Sequence, residues 1–315
     1  MPLGNAVGML RRAAPAALLS LALPGCAPHP APPRILPELT LDIAEPIVEA
    51  RIGAAVLRLR VDLDRRNSVE LNPAAAARLA LPFEDGMGLL VGRVELRERT
   101  VAAPVTIGGV TVPLTLSTYD RDCCTGSDGA IGPDLLPYGS VRFIRAGGVP
   151  GATTELHLPL VSRAETGLSA PTQTAAGELF VGFSLGQAET LATAAAGAIL
   201  TAAQGGRFAG SNFDVAPAFG VRRPARLIRF DRPAILAGFR IAEVPVRVGD
   251  FGGGRKLPED PALAGEIVVQ RRRAAQPAWP AILIGRDRID RCAEIRFQRA
   301  PMALTLRCTF DVPVP

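Results

Sequence analysis

Histidine is almost absent from this chain: His29 and His157 are the only two in 315 residues. Ser-His or Cys-His catalysis would therefore rest on His157 alone, which sits in an alternating, strand-like HLPL run. Aromatic residues make up 5%, with one Trp and two Tyr, too few to supply stacking platforms for bases. Lysine is nearly missing too, Lys256 being the only one, so the net charge of +5 is carried by arginine. The arginines are scattered along strand-like runs, and the densest group, 271–273, reads as a solvated loop. No nucleic-acid partner is expected. No run is long and apolar enough to cross a bilayer and stay there. No His or further Cys lies at ligand spacing from Cys123-Cys124, so neither a metal nor a cofactor is expected.

What is abundant is punctuation. The 29 prolines and 32 glycines stand between short apolar runs, a pattern of many strands and turns. The length suffices for two lobes, each with its own core. At the N-terminus Arg11 and Arg12 precede the apolar run 13–23, and Leu23-Pro24-Gly25-Cys26 follows. This is similar to a bacterial lipobox, in which the cysteine is lipidated; a plain secretory signal is the alternative. Residues 1–26 thus read as a signal segment and 27–45 as a Pro-rich tether. The expected location is the bacterial cell envelope, lipid-anchored at the periplasmic face of a membrane, or otherwise soluble in the periplasm or secreted. Export permits disulfides. Cys292 and Cys308 lie equidistant from a turn at 299–301, as a cross-strand pair would. Cys123 and Cys124 are open to three readings: a vicinal disulfide, two thiols or a metal pair.

One pattern occurs twice. Residues 56–82 and 179–202 each run from a strand into a short polar turn, a Ser or Thr, and an alanine-rich helical stretch. Each is followed later by a hydrophobic-hydrophobic-Gly motif, AIGPDLL at 130–136 and LIGRDRI at 283–289. Paired strands repeat as well: VRFIR and TELHL in the first half match EIRFQR and ALTLRC in the second. Five features in one order point to an internal duplication. Asn72-Pro73 marks a helix start in the first copy.

This ordered set resembles the retropepsin-like and pepsin-like aspartic peptidases, over roughly 46–308. Their pattern is a hydrophobic strand, an Asp-Thr-Gly-Ala-Ser turn, a Ser/Asn-Pro helix start and a later Ile/Leu-Gly-x-Asp-x-Leu. The resemblance implies an all-β fold with short helices, a bilobal acid-protease-like barrel with two similar lobes facing one cleft. Lobe one would span 46–162, a linker 163–176 and lobe two 177–315. It also implies one aspartate from each lobe. Two carboxylates held close share a proton, so one acts as base on a water while the other is the acid toward the peptide carbonyl.

The two turns depart from that pattern. In lobe two, Ser184-Leu185-Gly186 stands where Asp-Thr-Gly belongs; Gly186 is kept and the acid is replaced by Ser184. In lobe one the turn holds Asp62-Leu63-Asp64, with no glycine. Counting back from Asn72-Pro73 lands nearest Leu63, so a slip of one residue is needed to bring either Asp62 or Asp64 into register. Arg65 and Arg66 beside Asp64 would favour its ionised form. Asp62 and Asp64 have two readings, a surviving catalytic carboxylate or the solvated face of a strand that buries Leu57, Leu59, Val61 and Leu63. Ser184 also reads as a turn residue bonding local backbone. Asp134 and Asp287 read as structural supports of the turns. The expectation is a degenerate site, inactive as a peptidase, whose cleft binds an extended peptide or partner segment. Two alternatives stand: an active endopeptidase that pairs Asp62 or Asp64 with Asp128 or Asp214, and an envelope scaffold with no cleft ligand.

Overall fold

The structure is a computed structural model that describes residues 34–312, apart from 66, 92–93, 164–166 and 249–278. The expected signal segment with Cys26, His29, Lys256, the Gly252–Gly254 run and the arginines at 271–273 lie outside the described residues.

The first half contains β1 (Leu36–Asp42), β2 (Ile47–Ile52), β3 (Ala55–Val61), β4 (Val69–Leu71), α1 (Pro73–Leu79), β5 (Glu84–Asp85), β6 (Leu89–Val91), β7 (Val94–Leu96), β8 (Arg99–Ile107), β9 (Val110–Thr118), β10 (Gly129–Ile131), β11 (Tyr138–Ile144) and β12 (Thr154–Pro159). The second contains β13 (Val161–Arg163), β14 (Gly167–Thr174), β15 (Gly177–Phe183), β16 (Leu191–Thr193), α2 (Ala194–Gln204), β17 (Arg207–Val215), β18 (Arg223–Leu236), β19 (Phe239–Arg247), β20 (Ala281–Ile284), α3 (Arg286–Ile289), β21 (Cys292–Gln298) and β22 (Ala303–Cys308). The fold is all-β with short helices.

The duplication is visible in the strand order. In the first half β2-β3-β10-β4-β9-β8 close into a barrel through an added β2–β8 pairing. In the second half β14-β15-β20-β16-β19-β18 follow the same order. The senses match too: β10 is parallel to β3 and antiparallel to β4, as β20 is to β15 and β16. A third sheet, β1-β11-β21-β22-β12, takes strands from both halves and ties them together. Alternation explains β3, in which Leu57, Leu59 and Val61 are buried while Val56 and Arg58 face outward. One continuous core runs through both halves, from Leu57 and Phe143 to Phe239 and Phe297.

Two expectations need correction. The supposed linker at 163–176 includes β14, the counterpart of β2, with Leu168, Ser169 and Ala170 buried against β15. Its small and hydroxylated side chains read as a linker, yet they fit a closely packed sheet. The supposed tether at 27–45 includes β1, which pairs in parallel with β11.

The cysteines settle into pairs: Cys292 bonds Cys308 across β21 and β22, and Cys123 bonds its neighbour Cys124. The first pair is buried in the core.

The hydrophobic-hydrophobic-Gly motif has a packing reason. A Cβ added at Gly285 would lie 2.5 Å from the Glu189 carbonyl carbon and 2.6 Å from its oxygen, both backbone atoms that cannot swing aside. Gly285→Ala should therefore destabilise the protein by about 1–3 kcal/mol in urea unfolding, the usual cost of overpacking. A change within about 0.5 kcal/mol, the range of ordinary surface substitutions, would contradict this packing.

Candidate functional site

The two turns meet at the centre of the molecule. Asp62 directly follows β3 and Ser184 directly follows β15. The Asp62 N–H donates to the Ile131 carbonyl and the Ser184 N–H to the Ile284 carbonyl, at 3.0 Å each, so the two positions are equivalent. Asp62, not Asp64, is thus the lobe-one counterpart of Ser184, and Asp64 matches Gly186. Counting from the helix misplaced the turn because the cap is Asn72 in lobe one and Thr193 in lobe two, one position earlier relative to the turn.

Asp62 is 2% exposed and Ser184 1%. The solvated-face reading of Asp62 fails because the strand, and its alternation, ends at Val61. The carboxylate instead reaches across to lobe two. Leu185 N–H donates to Asp62 Oδ1 at 2.7 Å, and Gly186 N–H donates to Asp62 Oδ2 at 2.7 Å. The Ser184 hydroxyl donates to Oδ2 at 3.1 Å. Ser184 Oγ in turn accepts from the Gly186 and Gln187 N–H groups, the local turn bonding expected of it. Gly186 makes this approach possible, since a Cβ there would lie 2.7 Å from Asp62 Oδ2.

Burial pushes the Asp62 carboxyl up, to about 7, and the charge of Asp64 adds to the effect; Arg65, the Leu185 N–H and the Ser184 hydroxyl oppose it. Arg65 pairs with Asp64 at 3.4 Å and with Glu70 at 2.6 Å. Burial alone would pull the Arg65 guanidinium down, but these carboxylates more than offset it and hold it above its ordinary value.

A cavity of about 340 Å³ opens over this centre. Asp62, Asp64, Ser184 and Gly186 all line it, as do Arg60 and Arg286. The Cys123–Cys124 disulfide forms part of its wall. Sequence reasoning missed what holds that wall. Asn72 does not cap α1 with its side chain. Its Oδ1 accepts from the Cys123 and Cys124 N–H groups at 2.9 and 3.2 Å, and its Nδ2 donates to the Cys124 and Ser127 carbonyls. Above the cavity, the β6–β7 hairpin packs through Val91 and Leu96 against Phe219 and Val221 of lobe two, with Tyr119 beside Phe219.

The proposed second acids lie elsewhere. Asp128 accepts from the Arg58 N–H at 2.9 Å and from Arg78 at 2.6 Å; burial raises its carboxyl, and these partners more than offset that and hold it low. Asp214 is on β17, 4.0 Å from Arg222. Neither lines the cavity. Asp287 supports the lobe-two turn as expected, accepting from both the N–H and the hydroxyl of Thr190 at 2.8 Å. Asp134 sits over Gly132 in the matched place, and a Cβ on that glycine would lie 2.4 Å from its Oδ1. His157 bonds Thr305 on the shared sheet, away from the cavity. Among the described residues no three His, Cys, Asp or Glu side chains converge as metal ligands. Chemically, then, the centre holds Asp62, whose oxygens are met by three donors, with Asp64 held by Arg65, beside a buried hydroxyl that has no histidine to activate it among the described residues.

No protein-family model matches the chain, and no curated protein does. Among solved structures, it is similar to the EIAV protease complexed with the inhibitor HBY-793, at 16% identity and a TM-score of 0.25. That match covers 29% of this chain and 85% of the protease.

Asp62 carries a pH signature. A carboxyl whose folded pKa lies above its unfolded value near 3.8 binds its proton more tightly when folded. Its contribution to stability is therefore greatest below about pH 4 and is lost as pH rises through about 7. Thermal unfolding of the parent protein should show a lower midpoint at pH 8 than at pH 5, and Asp62→Asn should flatten that difference. An equal slope in the variant would contradict the assignment.

Proposed function

We propose that the interlobe cleft binds an extended peptide or partner segment without hydrolysing it, in an exported, lipid-anchored protein derived from the aspartic-peptidase architecture. The observation that carries this reading is the occupation of Asp62. The carboxylate that would activate water is engaged by Leu185, Gly186 and Ser184, and no second carboxylate stands in the place matched to it. The proton-sharing pair that hydrolysis needs is missing, while a cavity remains between the lobes. Its size is in the range of sites that take a small ligand or a few residues of a peptide. The duplicated sequence pattern supports the architecture, and the lipobox-like Cys26 supports the anchor. The apolar hairpin cluster, which shares Ala218 and Phe219 with the cavity wall, favours a scaffold reading, but a cavity of about 340 Å³ stays open beside it.

Titration with a permanently unfolded polypeptide, such as a reduced and alkylated small protein, should show saturable binding by calorimetry. Ala216→Trp, which adds bulk to the cavity wall, should weaken it by about tenfold or more. Absence of saturable binding, or binding indifferent to that substitution, would overturn the reading.

A further inference from the structure

Among the described residues, the charges that line the cavity are Arg60, Asp62, Asp64, Arg65 and Arg286. Three of them are spoken for. Asp62 is held by the lobe-two turn, Asp64 by Arg65, and Arg65 by Asp64 and Glu70. The remaining two are cations. Arg60 is partly buried and, among the described residues, makes no ion pair or side-chain hydrogen bond. Arg286 is 57% exposed, and its one ion pair, to Asp290, is long at 3.8 Å. Asp290 is engaged more closely by Arg145, at 2.8 Å.

The repeated architecture does not account for these two arginines. With Asp62 matched to Ser184, Arg60 is matched by Gly182; with the IGPD and IGRD motifs aligned, Arg286 is matched by Pro133. Each lobe thus adds one cation at a position where the other has none. A half-buried guanidinium without a counterion forgoes both its hydration and a partner. A carboxylate offers it two acceptors in matching geometry, and the sheltered setting strengthens the pairing over bulk water.

We propose that the cleft selects a peptide bearing a carboxylate, which Arg60 and Arg286 clamp from the two lobes. This deepens the peptide-binding reading and rests on it. The carboxylate has two sources, an acidic side chain or the free C-terminus of the bound peptide.

Calorimetry on the full-length protein with three unstructured decapeptides separates the cases. One carries a central Glu and an amidated C-terminus. The second carries Gln there and a free C-terminus. The third carries Gln and an amidated C-terminus. At least one of the first two should bind about tenfold or more tighter than the third, as charge-assisted hydrogen bonds would give. Whichever gains identifies the source. Arg60→Gln and Arg286→Gln should each shrink that preference, weakening the favoured peptide several-fold more than the third, with Arg→Lys restoring part of it. Equal affinity for all three overturns the clamp and leaves peptide binding standing. No binding by any of them overturns both. A preference that survives both Arg→Gln changes in a folded protein, checked by its melting curve, also overturns the clamp.

Discussion

The structure depends on one carboxylate reaching across a pseudo-symmetric interface. Asp62 leaves β3 and accepts hydrogen bonds from two backbone N–H groups and one hydroxyl of the opposite turn. Hydrogen bonds of this kind are directional, and in a water-excluded centre they fix the relative position of what they join. Burial raises the cost of charge on Asp62, and Arg65 of its own lobe, with the Leu185 N–H and the Ser184 hydroxyl of lobe two, is set against that cost. The lobes are also joined by the shared sheet, but the polar join is made at the cleft floor itself.

The two departures from the family pattern then reduce to one. Gly186 leaves room for the Asp62 carboxylate, which would otherwise meet a Cβ at 2.7 Å. In lobe one the residue matched to Gly186 is Asp64, and in lobe two the residue matched to Asp62 is Ser184. With no second carboxylate to admit, the lobe-one turn has no need of the small residue. Ser184 opposite Asp62 and Asp64 opposite Gly186 are thus two sides of a single asymmetry between the turns. Asp64 has instead been taken into a pair with Arg65, which also engages Glu70 at the cavity edge.

Much of this was legible in the residues. The duplication, the match of VRFIR to EIRFQR as strands and the helix start at Asn72-Pro73 follow from local patterns that keep their meaning in the fold, and the structural place of Asp287 followed from the resemblance. The failures have physical causes. Choosing between Asp62 and Asp64 required knowing where β3 ends, and the helix start used as a ruler is shifted by one residue between the lobes. Asn72 looked like a cap, but a tertiary demand, the Cys123–Cys124 wall, overrode the local one. β14 looked like a linker because a strand that reads Gly-Leu-Ser-Ala-Pro-Thr-Gln-Thr lacks the apolar alternation by which strands are read. The free arginines of the cavity could not be seen at all, since their freedom is a property of what surrounds them.

The central claim is that the floor of this cleft holds one working-position carboxylate, not two. The most direct measurement is mass spectrometry of an unfolded protein substrate after prolonged incubation with the purified protein from pH 3 to pH 7. The account predicts an intact substrate at every pH. Site-specific cleavage that disappears in Asp62→Asn would contradict it.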